Sequence, residues 1–194
     1  MAKSPRERMV FSAAQLIRTQ GVSGTGMREV VTHAEAPRGS LQHYFPGGKE
    51  QLVDEAVAWA GSYVARKVRR YAESLAEPSP GRLFAAMVGQ WRDEFTTTGF
   101  AAGCPLLAAT ADTAAASERL RAAVSKAFEG WQAPLTDELR RMGVPAARCP
   151  SLALLMMSAL EGAIVLARAH LDVAALDAVA TELAPLLDGA VPAA

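Results

Sequence analysis

Arg38, Ser40, Gln42, His43 and Lys49 all fall within one stretch, APRGSLQHYFPGGKEQL, residues 36–52. Arg38 and Gln42 are four residues apart, as are Gly39 and His43, so a helix here would put all four on one continuous face. Such a face offers donors and acceptors matched to base edges and phosphates, and its glycine would let a duplex come close. Lys49 stands at the start of the next predicted helix, where its charge adds to the positive end of the dipole and to unpaired backbone N–H groups. A phosphate is favoured at such a place.

Pro37 opens this short helix and Phe45-Pro46-Gly47-Gly48 closes it, which limits it to about residues 38–44. A helix of that length does not persist unaided, so its neighbours must hold it. Ser4, Pro5 and Glu7 form a capping-box start for a first helix whose Met9, Ala13, Leu16 and Ile17 share a face up to Gly21. Thr25 is a plausible cap for a second helix that presents Met27, Val30, Val31 and Ala34 inward and ends at 35–37. Two short helices with a tight connection, an apolar stripe on the first and polar residues on the second, make the helix-turn-helix pattern.

A longer helix follows over 48–74, and EPSPG at 77–81 marks a boundary. Helices are then predicted over 81–97, through CPLLAATADTAA, over 117–142 with Pro134 as a bend, over 151–169 and over 173–188. Sustained period-2 alternation is missing, so the expected fold is all-α with about nine helices. Residues 1–50 would form a helix-turn-helix domain, linked by helix 48–74 to a helical domain over 51–194.

The segments AAQLIRTQGVSGTGMREVV and APRGSLQHYFPGGKEQL resemble the DNA-binding domain of the TetR family of bacterial transcriptional regulators. The resemblance implies that Thr25 and Arg28 meet the phosphate backbone and that Arg38, Gly39, Ser40, Gln42 and His43 face the major groove. Tyr44 and Lys49 would fix register on phosphates. Two residues depart from the family pattern: Glu35 stands where a glycine is common, with strain on the turn as the expected consequence, and Gln42 stands where a tyrosine is frequent. GCPLLAATADTAAASERLRAAVSKAFEGW and ALEGAIVLARAHLDVAALD are similar to the LmrA/YxaF-like branch, which implies repression of efflux or detoxification genes and release by small aromatic or lipophilic compounds.

The segment SLALLMMSALEGAIVLARA is apolar on every side and must be covered on every side. Glu161 interrupts it, which favours a core or interface helix over a membrane span. Ala159, Ala163 and Ala167 recur every four residues, flanked by Leu152 and Leu166, and Leu176, Val179 and Leu183 continue the stripe on the last helix. These residues are expected to form a two-fold homodimer that sets two reading heads on a palindromic operator. Phe84, Met87, Trp91 and Phe95 share one face, and with Cys104, Leu107, Phe128, Trp131, Met156, Met157 and the polar Glu161 they are the candidates for lining an effector cavity.

Charge supports the division of labour. The chain has 194 residues with no net charge, but residues 1–50 carry seven Lys/Arg against four Asp/Glu and the remainder thirteen against sixteen. A basic module on an acidic body suits a polyanion at one end. Cys104 and Cys149 are widely separated and form no metal or disulfide framework, and the first residues lack an export signal, so a reducing cytoplasm is expected. No cofactor is expected. Two other readings stay open: a small all-α enzyme using Glu161 with His170 or His33, which lack motif spacing, and a helical interaction module whose DNA binding is lost at Glu35.

Overall fold

The computed structural model describes residues 4–37 and 39–192. These residues form nine helices and no strand: α1 Pro5–Gly24, α2 Met27–His33, α3 Ser40–Tyr44, α4 Gly48–Ser74, α5 Pro80–Thr98, α6 Pro105–Thr113, α7 Glu118–Arg141, α8 Cys149–His170 and α9 Ala174–Asp188. The capping box at α1 is present, with Ser4 N donating to Glu7 Oε2 at 2.7 Å and Glu7 N donating to Ser4 Oγ at 3.2 Å.

Local chemistry moves several boundaries. α1 does not stop at Gly21: that residue takes φ of 75°, breaks the axis, and the chain turns once more before Thr25. α2 is preceded by Gly26 at its N-cap and not by Thr25, with Glu29 accepting weakly from Gly26 N at 3.4 Å. α3 begins at Ser40, two residues after the expected start, because Ser40 N and Oγ both bond back to Pro37 O, at 3.0 and 2.6 Å. α8 gains a first turn at Cys149 and Pro150, where proline suits the helix start.

The helices pack as two compact units, one comprising residues up to Tyr63 with Ala102–Phe128 and the other Val64–Ala101 with Glu129 onward. α4 and α7 contribute residues to both.

In the first unit Met9, Ala13 and Ile17 of α1 are buried with Val30 and Val31 of α2, Phe45, Leu52, Val53 and Ala56. α6 lies along α1, and its Leu106 and Ala109 are fully covered. Polar links join the segment 102–128 to the first helices. Gly103 N donates to Arg18 O at 2.7 Å and Arg18 Nε returns to Gly103 O at 3.1 Å. Ser23 N donates to Asp112 Oδ2 at 2.9 Å, Ser117 Oγ to Glu50 Oε1 at 2.5 Å, and Arg119 Nη2 to Asp54 Oδ2 at 3.0 Å. The helix-turn-helix elements thus share a core with α6 and the first part of α7.

The second unit is built on α5, α8 and α9, which bury Leu83, Phe84 and Met87, then Ala153, Met156 and Leu160, then Leu176, Leu183 and Leu187. Gly81 N donates to Asp188 Oδ1 at 2.7 Å, and the last turn of α8 sends Arg168 to Phe100 O at 3.2 Å and Ala101 O at 2.9 Å.

Two glycines in helices separate close packing from mere tolerance. A Cβ at Gly61 would lie 2.9 Å from Ala127 Cβ and 3.1 Å from Ala127 O, whereas one at Gly89 would meet nothing within 4 Å. Gly61→Ala should therefore destabilise the chain by about 1–3 kcal/mol through overpacking. Gly89→Ala should stabilise it by about 0.5–1 kcal/mol by removing backbone freedom. Urea unfolding of the two variants beside the wild type checks both signs.

Candidate nucleic-acid interface

The connection from α2 to α3 is closed by backbone chemistry. Ala36 N donates to Val31 O at 3.0 Å and Glu35 N to Thr32 O at 3.1 Å, the paired bonds of a Schellman end. Glu35 occupies the left-handed position with φ of 50°. Glycine enters that region freely, while a residue with a Cβ is strained there by roughly 1 kcal/mol. The strain expected from sequence is present, and the turn forms with glutamate in place.

α3 leaves this turn as a five-residue helix with none of its own residues fully buried. Phe45, immediately after it, is 1% exposed and anchors its end. Arg6 of α1 covers the Phe45 ring with its guanidinium carbon 5.6 Å from the centroid, and its Nη2 pairs with Glu55 Oε1 at 2.7 Å. Gly47 N donates to Gln51 Oε1 at 2.9 Å across the start of α4.

Gln42 and His43 are exposed, and Tyr44 is half-buried with its ring 5.0 Å from that of His43. Ser40 has its hydroxyl hydrogen committed to Pro37 O, so only its oxygen lone pairs remain for an outside donor. Gly39 is exposed at φ of −75°, and a Cβ there would meet nothing within 4 Å. Neither its conformation nor its neighbours in the chain require a glycine. Arg38 lies outside the described residues.

Arg28 is exposed on α2. Lys49 is half-buried with Nζ 3.5 Å from Ser23 O, which sets it between the end of α1 and the first turn of α4. Thr25 departs from its expected role. It is 3% exposed, its Oγ1 donates to Gly21 O at 2.6 Å, and its N–H donates to Val22 O at 3.2 Å. Both donors are spent inside the chain, and a phosphate oxygen accepts but cannot donate. The hydroxyl instead fastens the extra turn of α1.

The enzyme reading gains no geometry. Glu161 and His170 stand nine residues apart on one helix, about half a turn out of phase at roughly 100° per residue. His33 Nδ1 sits 2.9 Å from Ser12 Oγ on α1. Among the described residues no group of three His, Cys, Asp or Glu could hold a metal ion.

Of the residues expected to meet an effector, Phe84, Met87, Phe95, Trp131, Met156 and Met157 lie in the core of the second unit. Trp91 and Glu161 are half-buried there, and the Phe95 ring lies 5.6 Å from Trp91 and 5.0 Å from Phe100, an aromatic the sequence pattern did not single out. Cys104, Leu107 and Phe128 belong to the first unit, where Cys104 is buried at the N-cap of α6. An open cleft in the second unit is lined by Ala72, Glu73, Pro78, Glu138, Arg141, Met142 and Gly143, none of them among the expected set.

The expected dimer residues require a larger correction. Leu152, Ala163, Ala167, Leu176 and Leu183 are buried by the chain's own packing. Ala159 and Val179 are half-buried, and Leu166 is exposed. A helix apolar all round gave no phase from which to tell its inner face from its outer one. The outer face of α8 carries Leu154, Leu155, Val165 and Leu166, each 46–50% exposed, with Ser151, Ser158, Gly162 and Ala169 at the same helical phase.

Residues 12–56 match the family described as bacterial regulatory proteins, tetR family, and residues 80–182 match the C-terminal domain of LmrA/YxaF-like transcriptional regulators. An uncharacterised HTH-type transcriptional regulator of Mycobacterium tuberculosis is 38% identical over 195 residues, covering 98% of this chain and 97% of that one. The HTH-type transcriptional regulator LmrA of Bacillus subtilis is 32% identical over 161 residues, 83% of this chain and 85% of its own. The crystal structure of reduced Escherichia coli NemR superposes with a TM-score of 0.78 at 22% identity, covering 94% of this chain and 97% of that one, and shows the shared fold.

The internal role of Thr25 is open to test. Thr25→Val should lower stability by about 1 kcal/mol for the lost hydrogen bond and leave affinity for duplex DNA unchanged. Chemical unfolding and fluorescence anisotropy on one protein preparation check the two halves of that expectation.

Proposed function

The chain belongs to the TetR family of bacterial transcriptional regulators, and on that premise we propose that it is a ligand-responsive repressor, a homodimer that sets two copies of α3 on a palindromic operator and leaves it when a small lipophilic or aromatic molecule binds the second unit. The observation that carries the reading is the exposed face of α3, where Gly39, Gln42 and His43 stand clear of the chain beside the first turn of α4. Gln42 has an amide suited to a bidentate bond on adenine, and Gly39 leaves room for close approach of the duplex. Lys49 and Arg28 serve the phosphates, with Lys49 aided by the positive end of the α4 dipole.

The homodimer rests on α8. By length and composition this helix could cross a membrane, but its inner face is occupied by the chain's own core. What remains is one apolar stripe with Ser158 and Gly162 at its centre, small enough for a second helix to come near. A second copy presents the same stripe across a two-fold axis. Leu186 of α9, 68% exposed, extends the apolar surface of the unit.

Control of an efflux or detoxification gene follows from likeness to the LmrA/YxaF-like branch. The aromatic and methionine side chains of α5 and α8 are the material from which a cavity for a lipophilic effector would open.

Selection of duplexes from a random library with the purified chain, followed by titration in rising salt, tests the core of the proposal. A selected palindrome bound by two protomers and retained in salt that strips a scrambled duplex is the expected result. Failure to enrich any sequence would sink it. On the selected duplex, Gln42→Ala should relax preference at one position by about 1–3 kcal/mol, while Lys49→Ala should weaken all duplexes alike. Leu155→Glu with Leu166→Glu should place a buried carboxylate pair in the stripe and shift sedimentation from dimer to monomer at micromolar concentration.

A further inference from the structure

We propose that Arg8, on α1, is a positioning residue for operator reading, because its guanidinium holds the strained turn that aims α3. Its Nε donates to Ala34 O at 2.9 Å and its Nη2 donates to Glu35 O at 3.2 Å. These are the carbonyl of the C-cap of α2 and the carbonyl of the left-handed residue itself. Both belong to a helix end whose carbonyls lack intrahelical partners and carry partial negative charge.

The guanidinium is suited to this task. Two N–H groups on a rigid planar fork, bonded to consecutive carbonyls, fix the two peptide planes on either side of Glu35 and so its backbone angles, and a lysine ammonium cannot match both with one pre-set geometry. Glu35 needs such a hold because its φ of 50° is disfavoured for a residue with a Cβ. Ser40, the start of α3, lies only four positions after Ala36, so a rotation at Glu35 is passed on to Gln42 and His43. Arg8 sits behind the turn on the N-terminal part of α1, where Arg6 already covers Phe45 at the far end of α3. The two arginines of one helical turn thus hold the turn that precedes the short helix and the residue that ends it.

The inference rests on α3 being the reading helix, and its test separates the two claims. Full-length wild type, Arg8→Ala, Arg8→Lys, Glu35→Gly and the Arg8→Ala/Glu35→Gly double variant are titrated against the library-selected duplex and a scrambled duplex of equal length. A melting scan of each variant accompanies the titrations. Arg8→Ala should lose about tenfold in affinity for the selected duplex, the scale of one to two hydrogen bonds, with scrambled-duplex binding within about twofold of wild type. Arg8→Lys should lose nearly as much although it keeps the charge, and it carries the test if Arg8→Ala fails to fold. Glu35→Gly removes the need for the hold, so the double variant should regain most of the lost preference.

Wild-type affinity in Arg8→Lys would overturn the proposal, as would equal losses on both duplexes or no regain in the double variant. Absence of preference already in the wild-type chain would overturn the reading of α3 and this inference with it. A wild-type preference that every Arg8 variant retains would overturn the inference alone.

Discussion

A five-residue helix cannot hold its own direction. α3 has too few internal hydrogen bonds to offset the cost of nucleation, so its geometry is imposed from outside. Three contacts impose it. The left-handed turn at Glu35 sets the angle at which the chain leaves α2, Arg8 fastens that turn, and Phe45 sinks into the core at the other end. Every side chain proposed to read DNA from α3 depends on this arrangement for its position.

The support extends beyond the helix-turn-helix itself. The first compact unit includes α6 and the start of α7, and Arg18, Ser23, Glu50 and Asp54 are each bonded to that later segment. Gly21 is part of the same fastening: its φ of 75° breaks α1, and the Asp112 carboxylate lies where a Cβ would stand, 2.5 Å away. α6 thus braces the end of α1, the element that carries Arg8 at its other end.

α8 illustrates a different constraint. An apolar helix satisfies one side by packing on α5 and α9, and its remaining stripe of leucines and valine stays in water unless another surface covers it. Small residues, Ser158 and Gly162, stand at the middle of that stripe. The choice of stripe belongs to the subunit's packing: Ala163 and Ala167, small and regularly spaced, face inward, while Ser158 and Gly162 face out.

Much of the molecule was legible in the order of its residues. Ser4 and Glu7 announce the start of α1, and Pro37 and Gly47-Gly48 bracket α3, whereas Pro80 and Pro150, read as part of the breaks before α5 and α8, stand inside their first turns. Local rules of capping, proline geometry and helical period fix such features, and they need no knowledge of what lies across the chain. The polar face of α3 could be read for the same reason, since a spacing of four is a property of one helix. Thr25, the inner face of α8, the inclusion of 102–128 in the first unit and the grip of Arg8 on the turn could not. Each depends on residues tens of positions away meeting in space. Only the packed structure decides whether a hydroxyl is spent on a carbonyl, which leucine is covered, and which arginine holds the turn.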